Sequence, residues 1–482
     1  MIRRILLPAA ACAALALPAA AQQTPAPTEQ PPAPGPLRPF NVPPVREMRL
    51  ANGVRVVVVE KHSLPIVAGR ILVSAGSVHE PAAKNGLASL TAQLLDEGTR
   101  ALTGPQIAER MEALGAQFGT GAGYTHAVAS VTAPKSTFGE AMALAATTVI
   151  EPSFAEGELT RVRNQMAAAY TRSQSTVEGL ASIAFNRALW DPASGYSRPV
   201  SGTTASLQGI SREDVTAFHQ RMYSPANTTV LLVGDVTQEE ARRIAEQALG
   251  RWTAPGAVTA ALPRPAPAPV SASRIILVDR PGSVQSGVFV GQAALGADSP
   301  EAIPFSALTQ VLGGGFRARL NMNLRESHGW TYGAFAGQST YPNAGDFYAS
   351  SSVRTNATDS AVAEIVREYR RIATEPVPAD ELRGSLSNVT GSFPNSVQTV
   401  QGLAARLQTL LQNGQPLNYY NTYLQQVSAV TPADVSRVGR AVLTPAALTI
   451  VVAGDLSKIE APIRALNLGS VEVVDANGNK VR

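Results

Sequence analysis

Two strong hydrogen-bond donors, Arg325 and Tyr332, stand in residues 311–337, VLGGGFRARLNMNLRESHGWTYGAFAG, behind the run Gly313, Gly314, Gly315. Arginine is permanently charged with five N–H groups, and a tyrosine hydroxyl also donates. Two such donors converging on one point suit a carbonyl oxygen that becomes an oxyanion during acyl transfer. The three glycines offer left-handed backbone angles and unhindered amides. The same residues also fit a plainer reading, in which the glycines cap a helix, Arg325 is a solvated charge and Tyr332 a core aromatic.

Positioning these groups requires two helices and a strand. Residues 304–312 are apolar and helix-permissive, and the glycines stop them. A second predicted helix, 316–327, carries Arg317, Arg319 and Arg325, and Gly329 separates it from a predicted strand at 332–338. Arg317 and Arg319 read either as a steering patch for acidic peptides or as a solvated helix face.

Other chemistries find less support. No G-x-S-x-G turn exists to expose a nucleophilic serine. The glycine run lacks the G-K-[ST] continuation that would put a lysine on phosphate. Of the histidines, His62, His79, His126, His219 and His328, no two are spaced i, i+4, and each reads as a surface or loop residue. The formal charge is +4 for 482 residues, with no block of basic residues interleaved with aromatics, which argues against a nucleic-acid partner.

Residues 1–21 combine Arg3 and Arg4, an apolar run and Ala19-Ala20-Ala21, the pattern of a secretory signal peptide. The mature protein is then expected in the periplasm or outside the cell. The only cysteine, Cys12, would leave with that segment, so neither disulfides nor thiol ligands enter the argument. No later stretch approaches the roughly 18 apolar residues of a transmembrane helix.

Residues 22–47, rich in proline and alanine, are expected to be a disordered tether. A second proline-rich stretch, 255–270, divides the rest into an N-terminal lobe, 48–254, and a C-terminal lobe, 271–482. These lobes repeat one another. Residues 210–236 lie ungapped over 430–456, matching at Asp214/Asp434, Pro225/Pro445, Thr229/Thr449, Gly234/Gly454 and Asp235/Asp455. In each copy a capped helix, opened by Ser211 or Thr431, leads through a proline turn to an aliphatic strand ending in Gly-Asp. Strands at 54–59 and 66–73, each pair followed by a helix, recur at 274–278 and 287–292. The grouped order favours an α+β class, with helices layered on largely antiparallel sheets, and a hinge-like linker between the lobes.

Three pieces, AGSVHEPAAKNGLASLTAQLLDEGT, the two Gly-Asp copies and LGGGFRARLNMNLRESHGWTYG, resemble the pitrilysin/insulinase-type peptidases, or inverzincins, a family that includes the mitochondrial processing peptidase. The resemblance implies two homologous lobes, each of two layered α/β domains, closing as a clamshell around a chamber. It also exposes a departure. The family's H-x-x-E-H zinc motif falls on Ser89-Leu90-Thr91-Ala92-Gln93, and its third ligand falls near Gln165. Ser89, Ala92, Gln93 and Gln165 bring no imidazole or carboxylate, so no zinc or other cofactor is expected on this chain. Arg325 and Tyr332, by contrast, match the family's substrate-carbonyl pair, and Gly313, Gly314 and Gly315 resemble the glycine-rich loop of the processing peptidase's non-catalytic subunit. The resemblance thus implies a non-catalytic subunit, inactive alone, that joins a zinc-binding homologous partner as a heterodimer acting on peptides. The alternative is a homologue that binds peptides or scaffolds other proteins without proteolysis.

Overall fold

Runs of valine, isoleucine and leucine become the inner strands of two six-stranded sheets, where β-branched side chains pack well on a pleated surface. A computed structural model describes residues 40–482 apart from 256, 262 and 263. The first sheet contains β1 (Val45–Arg49), β2 (Arg55–Glu60), β3 (Ile66–Val73), β4 (Gln117–Ala122), β5 (Ala127–Pro134) and β6 (Thr228–Gly234), in the order β1-β2-β6-β3-β5-β4. The second contains β7 (Arg274–Asp279), β8 (Gln285–Ala294), β9 (Thr331–Tyr341), β10 (Ala344–Arg354), β11 (Thr449–Gly454) and β12 (Ser470–Val474), in the order β12-β7-β11-β8-β10-β9.

From β2 and β7 onward the two orders are the same. The repeated Gly-Asp strands, β6 and β11, fill the same slot, parallel to β2 or β7 and antiparallel to β3 or β8. Consecutive β2 and β3 therefore do not pair with each other. The repeated helices Arg212–Met222 and Pro432–Val442 open with matching capping boxes. Ser211 Oγ accepts from the Asp214 amide at 3.3 Å, and Thr431 Oγ1 from the Asp434 amide at 3.2 Å. The class is α+β with two similar lobes, and each lobe is built on a single sheet with its helices rather than on two domains.

Each sheet has one face covered by helices of its own lobe and the other by a helix of the opposite lobe. Val57, Val59, Leu72 and Leu231 of the first sheet pack beneath Leu403, Leu407 and Leu410 of helix Val400–Gln412. Reciprocally, Ile276, Val278 and Val451 of the second sheet pack beneath Val177, Leu180 and Phe185 of helix Val177–Leu189. Gly287 permits the close approach, since a Cβ there would lie 2.4 Å from the Val177 carbonyl oxygen.

This exchange corrects the expectation of a hinge. The 255–270 stretch is itself fastened to the N-terminal lobe. Ala260 N donates to Asn227 Oδ1 at 2.9 Å, Asp191 N to Ala266 O at 2.8 Å, and Ala268 N to Leu189 O at 2.9 Å. Folded structure also begins earlier than Met48. Phe40 packs edge-on against Phe393 at 5.4 Å, Val42 is buried with its amide on Asn421 Oδ1 at 2.7 Å, and β1 starts at Val45. The proline-rich character of that stretch hides these apolar anchors. The predicted signal peptide, Cys12 and the tether up to residue 39 lie outside the described residues.

An aromatic cluster closes the seam between the lobes. Tyr341 of β9 meets Tyr196 at 4.8 Å, Tyr124 at 5.4 Å and Trp190 at 6.0 Å, and Tyr124 stacks on Tyr196 at 5.0 Å. Beside it, Asp346 is buried and accepts the Ser339 amide at 3.2 Å.

Two predictions follow from this packing. Phe185→Ala should cost about 3 to 5 kcal/mol, and heat should unfold both lobes in one calorimetric transition; two resolved transitions would mean that the lobes are separable. Burial raises the Asp346 carboxyl to about 6. Its proton is thus held more tightly in the folded chain, so the stabilisation is full below the unfolded value of 3.8 and is lost as pH rises through about 6. Relative to Asp346→Asn, the wild type should lose about 3 kcal/mol at most between roughly pH 4 and pH 7. Urea midpoints across that range measure the difference, and parallel curves would contradict it.

Candidate functional site

Helix Ala302–Gly313 is driven inward by Phe305, Leu308, Val311 and Leu312, all in the core of the C-terminal lobe. Its last residue rests on β9. A Cβ on Gly313 would lie 1.9 Å from the Ala336 amide nitrogen and 2.6 Å from the Phe335 carbonyl carbon. A Cβ on Gly314 would strike Gln310 Oε1 at 2.1 Å, while Gly315 has only Asn388 Nδ2 at 4.0 Å. None of the three has a positive φ, which corrects the expectation of left-handed backbone there. Close approach of backbone and side chain accounts for Gly313 and Gly314 but not for Gly315, and the left-handed turn falls instead at Gly329, with φ +64°.

The amides nearest to free use are displaced by the same shift. Gly314 N donates to Gln310 O at 3.0 Å, so it is spent on the helix end. Among the described residues, no acceptor takes the amides of Gly315, Phe316 and Arg317.

The predicted second helix is short and irregular. Helix Arg319–Asn321 runs into a π-helical segment, Met322–Ser327. Two residues hold it in place. Arg319 forms a bidentate ion pair with Glu381, Nε to Oε1 at 2.7 Å and Nη2 to Oε2 at 2.8 Å, and is nearly buried. It is a tie to helix Ala379–Gln398 and not a steering charge. Asn321, fully buried, donates from Nδ2 to Phe316 O at 2.8 Å and accepts the Ala334 amide on Oδ1 at 3.3 Å, joining the loop to β9. Asn321 was not singled out from the sequence, although a polar amide inside an apolar helical run was its signal.

Arg325 lies on the π-helical segment, 40% exposed, with its guanidinium 5.2 Å from the Phe316 ring centroid and Nε 3.4 Å from Glu326 Oε1. Tyr332 is 90% exposed. A β-bulge explains its projection. Thr331 pairs with Val353 and Ala334 with Ser351, so Tyr332 and Gly333 together face Ser352. Bulges of this kind re-aim a side chain, and Thr331 Oγ1 secures this one by donating to Ser352 O at 2.6 Å. No hydrogen bond joins Arg325 to Tyr332 among the described residues. They lie on either side of the Gly329 turn, Arg325 on the π-helical segment and Tyr332 on the bulge of β9, both exposed. Phe316, 65% exposed in the loop before Arg319, and Phe335, 44% exposed on the edge strand β9, stand edge to face at 6.4 Å. Neither phenylalanine was anticipated.

The N-terminal lobe offers nothing comparable. Ser89 and Ala92 are buried in helix Leu87–Gln93, and Gln93 Nε2 donates to Ser89 Oγ at 3.3 Å. Gln165 is exposed on helix Glu156–Ser173 and makes no hydrogen bond to Ser89 or Gln93. A hydroxyl, a methyl and an amide do not fit a catalytic zinc, which takes imidazole, thiolate or carboxylate ligands. Among the described residues, no group of three or more His, Cys, Asp and Glu side chains could hold a metal ion. His126 is not a surface residue. It is buried with Nδ1 2.9 Å from Thr125 Oγ1, and burial lowers it to about 4.

Comparison with known proteins accords with this arrangement. Residues 55–192 match the family model described as insulinase (peptidase family M16), and residues 209–389 match the peptidase M16 inactive domain. The chain is 22% identical over 353 residues to an uncharacterized zinc protease of Rickettsia bellii, covering 73% of this chain and 84% of that one. It is 23% identical over 388 residues to the non-peptidase homolog YmxG of Helicobacter pylori, covering 80% and 88% respectively. Its fold is similar to that of a peptidase M16 inactive domain from Pseudomonas fluorescens, with TM-score 0.79, 27% identity, and coverage of 85% of this chain and 98% of that one. A Helicobacter pylori protease superimposes with TM-score 0.78 at 19% identity over 85% of this chain and 99% of its own.

The geometry separates residues that hold the site from residues it presents. Asn321→Leu leaves a buried carbonyl and amide unpaired and should cost about 2 kcal/mol or more. Arg325→Ala, at an exposed position, should stay within about 0.5 kcal/mol of wild type. Denaturant midpoints of the two variants test this; equal losses would make Arg325 a structural residue.

Proposed function

Because the chain belongs to the insulinase-type M16 peptidase family yet carries Ser89, Ala92 and Gln93 where the zinc motif falls, we propose that it is the non-catalytic subunit of a two-chain peptidase. The observation that carries this reading is the outward presentation of Arg325 and Tyr332 on a bulged edge, beside a first lobe with no metal chemistry. A zinc-binding homologous subunit is the partner this requires, and hydrolysis at that subunit's zinc is the chemistry it would bring.

This chain's own residues supply binding and charge stabilisation. An extended peptide can add to the edge strand β9 outside the positions at Ala334 and Ala336 that Asn321 and Gly313 occupy, as peptides do when they add to exposed sheet edges. The amides of Gly315, Phe316 and Arg317 lie at the end of that path, and Phe316 and Phe335 give its side chains apolar contact. Arg325 and Tyr332 then donate to the carbonyl oxygen at the cleaved bond, where negative charge develops. The basic and apolar opening of residues 1–21 supports a location in the periplasm or outside the cell.

The test is reconstitution. The purified chain should be inactive alone, and peptide cleavage should appear on mixing with the zinc-motif homologue from the same source. In the mixture, Tyr332→Phe should lower kcat by roughly a hundredfold or more, corresponding to about 3 kcal/mol of lost transition-state stabilisation, with little change in KM. If the homologue cleaves equally well without this chain, the subunit reading fails and a peptide-binding or scaffolding role replaces it.

A further inference from the structure

A cavity of about 540 Å³ lies where helix Val177–Leu189 of the first lobe meets β7 and β12 of the second. It shares no lining residue with the surface around Arg325 and Tyr332 and does not depend on the subunit reading. Its volume is within the range of small-molecule sites.

Charge is what sets it apart. Arg187, Arg198 and Arg274 all line it, and none forms an ion pair among the described residues. Arg187 donates to the Asn477 carbonyl and to Asn479 Oδ1, the latter at 3.2 Å, and Arg274 donates to the Ala188 carbonyl and to Thr449 Oγ1 at 3.4 Å. These partners are neutral. Arg198 is less satisfied still, since its Nε is buried without any acceptor. Nearby carboxylates, Glu80 beside Arg198 and Asp475 beside Arg187, offset part of this charge through space but spend their hydrogen-bonding capacity on neutral groups. Glu80 accepts Asn85 Nδ2 and the amides of Gly86 and Ala88, each at 2.9 Å, and Asp475 accepts the amides of Asn477 and Asn479 at 2.9 and 2.8 Å. Glu472 also lines the cavity and offsets part of the charge.

Three guanidiniums around one partly enclosed space repel each other, and an unpartnered buried N–H is costly. An anion relieves both, and the planar donor forks of arginine match a carboxylate. The remaining wall limits what may carry that anion. Tyr170, Ile183, Ile276 and Val474 give it an apolar lining, which leaves a bare, strongly hydrated anion poorly matched. We propose that this cavity binds a carboxylate joined to a compact apolar body, as in an N-acylated amino acid or the C-terminal residue of a peptide.

Calorimetric titration of the full mature chain tests the proposal. The probes are N-acetylleucine, N-acetylleucinamide, a decapeptide ending in leucine with a free carboxyl group, and inorganic phosphate. N-acetylleucine should bind saturably, and removing its charge as the amide should weaken binding at least about tenfold, the effect of losing a charge-assisted hydrogen bond. Arg198→Met should weaken it similarly while leaving the chain folded by circular dichroism, because no hydrogen bond among the described residues uses the Arg198 side chain. Arg274→Met, read against its own circular dichroism, provides the second variant. If the peptide binds as tightly as the free acid, the natural source is a chain terminus; if only the free acid binds, it is a small molecule. Equal binding of the amide, unchanged binding by a folded Arg198→Met, displacement by phosphate at equal concentration, or no heat up to about 10 mM ligand, beyond the weak end of specific affinities, would each overturn it.

Discussion

The exchange of helices between the lobes is the constraint on which the rest of the structure depends. A sheet buried on one face alone can turn its other face to water only if that face is polar, and here neither is. Val57, Val59, Leu72 and Leu231 in one sheet and Ile276, Val278 and Val451 in the other would be exposed without helices from the opposite lobe. Each such side chain gains about 1.5 to 3 kcal/mol from full burial, so the relative placement of the lobes is set by the packing of both sheets. The proline-rich connection does not set it. The C-terminal edge strand β9 therefore stands on a rigid support, as a site that depends on aimed donors requires.

Much of this was legible in local sequence pattern. Capping boxes at Ser211 and Thr431 and the Gly-Asp strand ends are determined by residues three or four positions apart, so the repeat and the α+β class could be read directly. The helix exchange could not. Whether Leu403 and Leu407 lie on their own sheet or on the other lobe's depends on contacts hundreds of residues apart, and an apolar stripe looks the same either way. Gly313 was misread for a related reason. A glycine required by close packing against Ala336 and one required by positive φ are identical in sequence, and only the position of β9 distinguishes them. The bulge that projects Tyr332 is likewise a matter of register between β9 and β10.

The irregular helix at 319–327 shows how the support and the display are divided. Its inward residues are committed: Asn321 bonds backbone groups on both sides, and Arg319 is bound through the Nε–Nη2 edge of its guanidinium to both oxygens of Glu381. Its outward residue, Arg325, has only a surface carboxylate and the face of Phe316. Exposed ion pairs of that kind contribute little, so its guanidinium can change partners at small cost. The Glu381 pair, nearly buried on the arginine side, cannot be broken so cheaply.

The same division applies to the surface as a whole. Phe316, Phe335 and Tyr332 leave apolar area in water at an edge strand on which Asn321 already takes the Ala334 amide, and apolar area beside a sheet edge is the combination that proteins ordinarily avoid because it invites edge-to-edge association. Covering it would bury the aromatics and meet what remains open of the strand edge. The bulge at Tyr332 and Gly333 interrupts the regular ladder at one end, which restricts such pairing to a segment that stops short of the tyrosine hydroxyl. A chain lying on β9 would thus be held by its backbone along the strand and meet Arg325 and Tyr332 only where the ladder ends. Under the proposed subunit role, that order of contacts, first an edge that accepts many sequences and then a pair of donors at one carbonyl, would give this surface general peptide affinity with a single defined point of charge stabilisation.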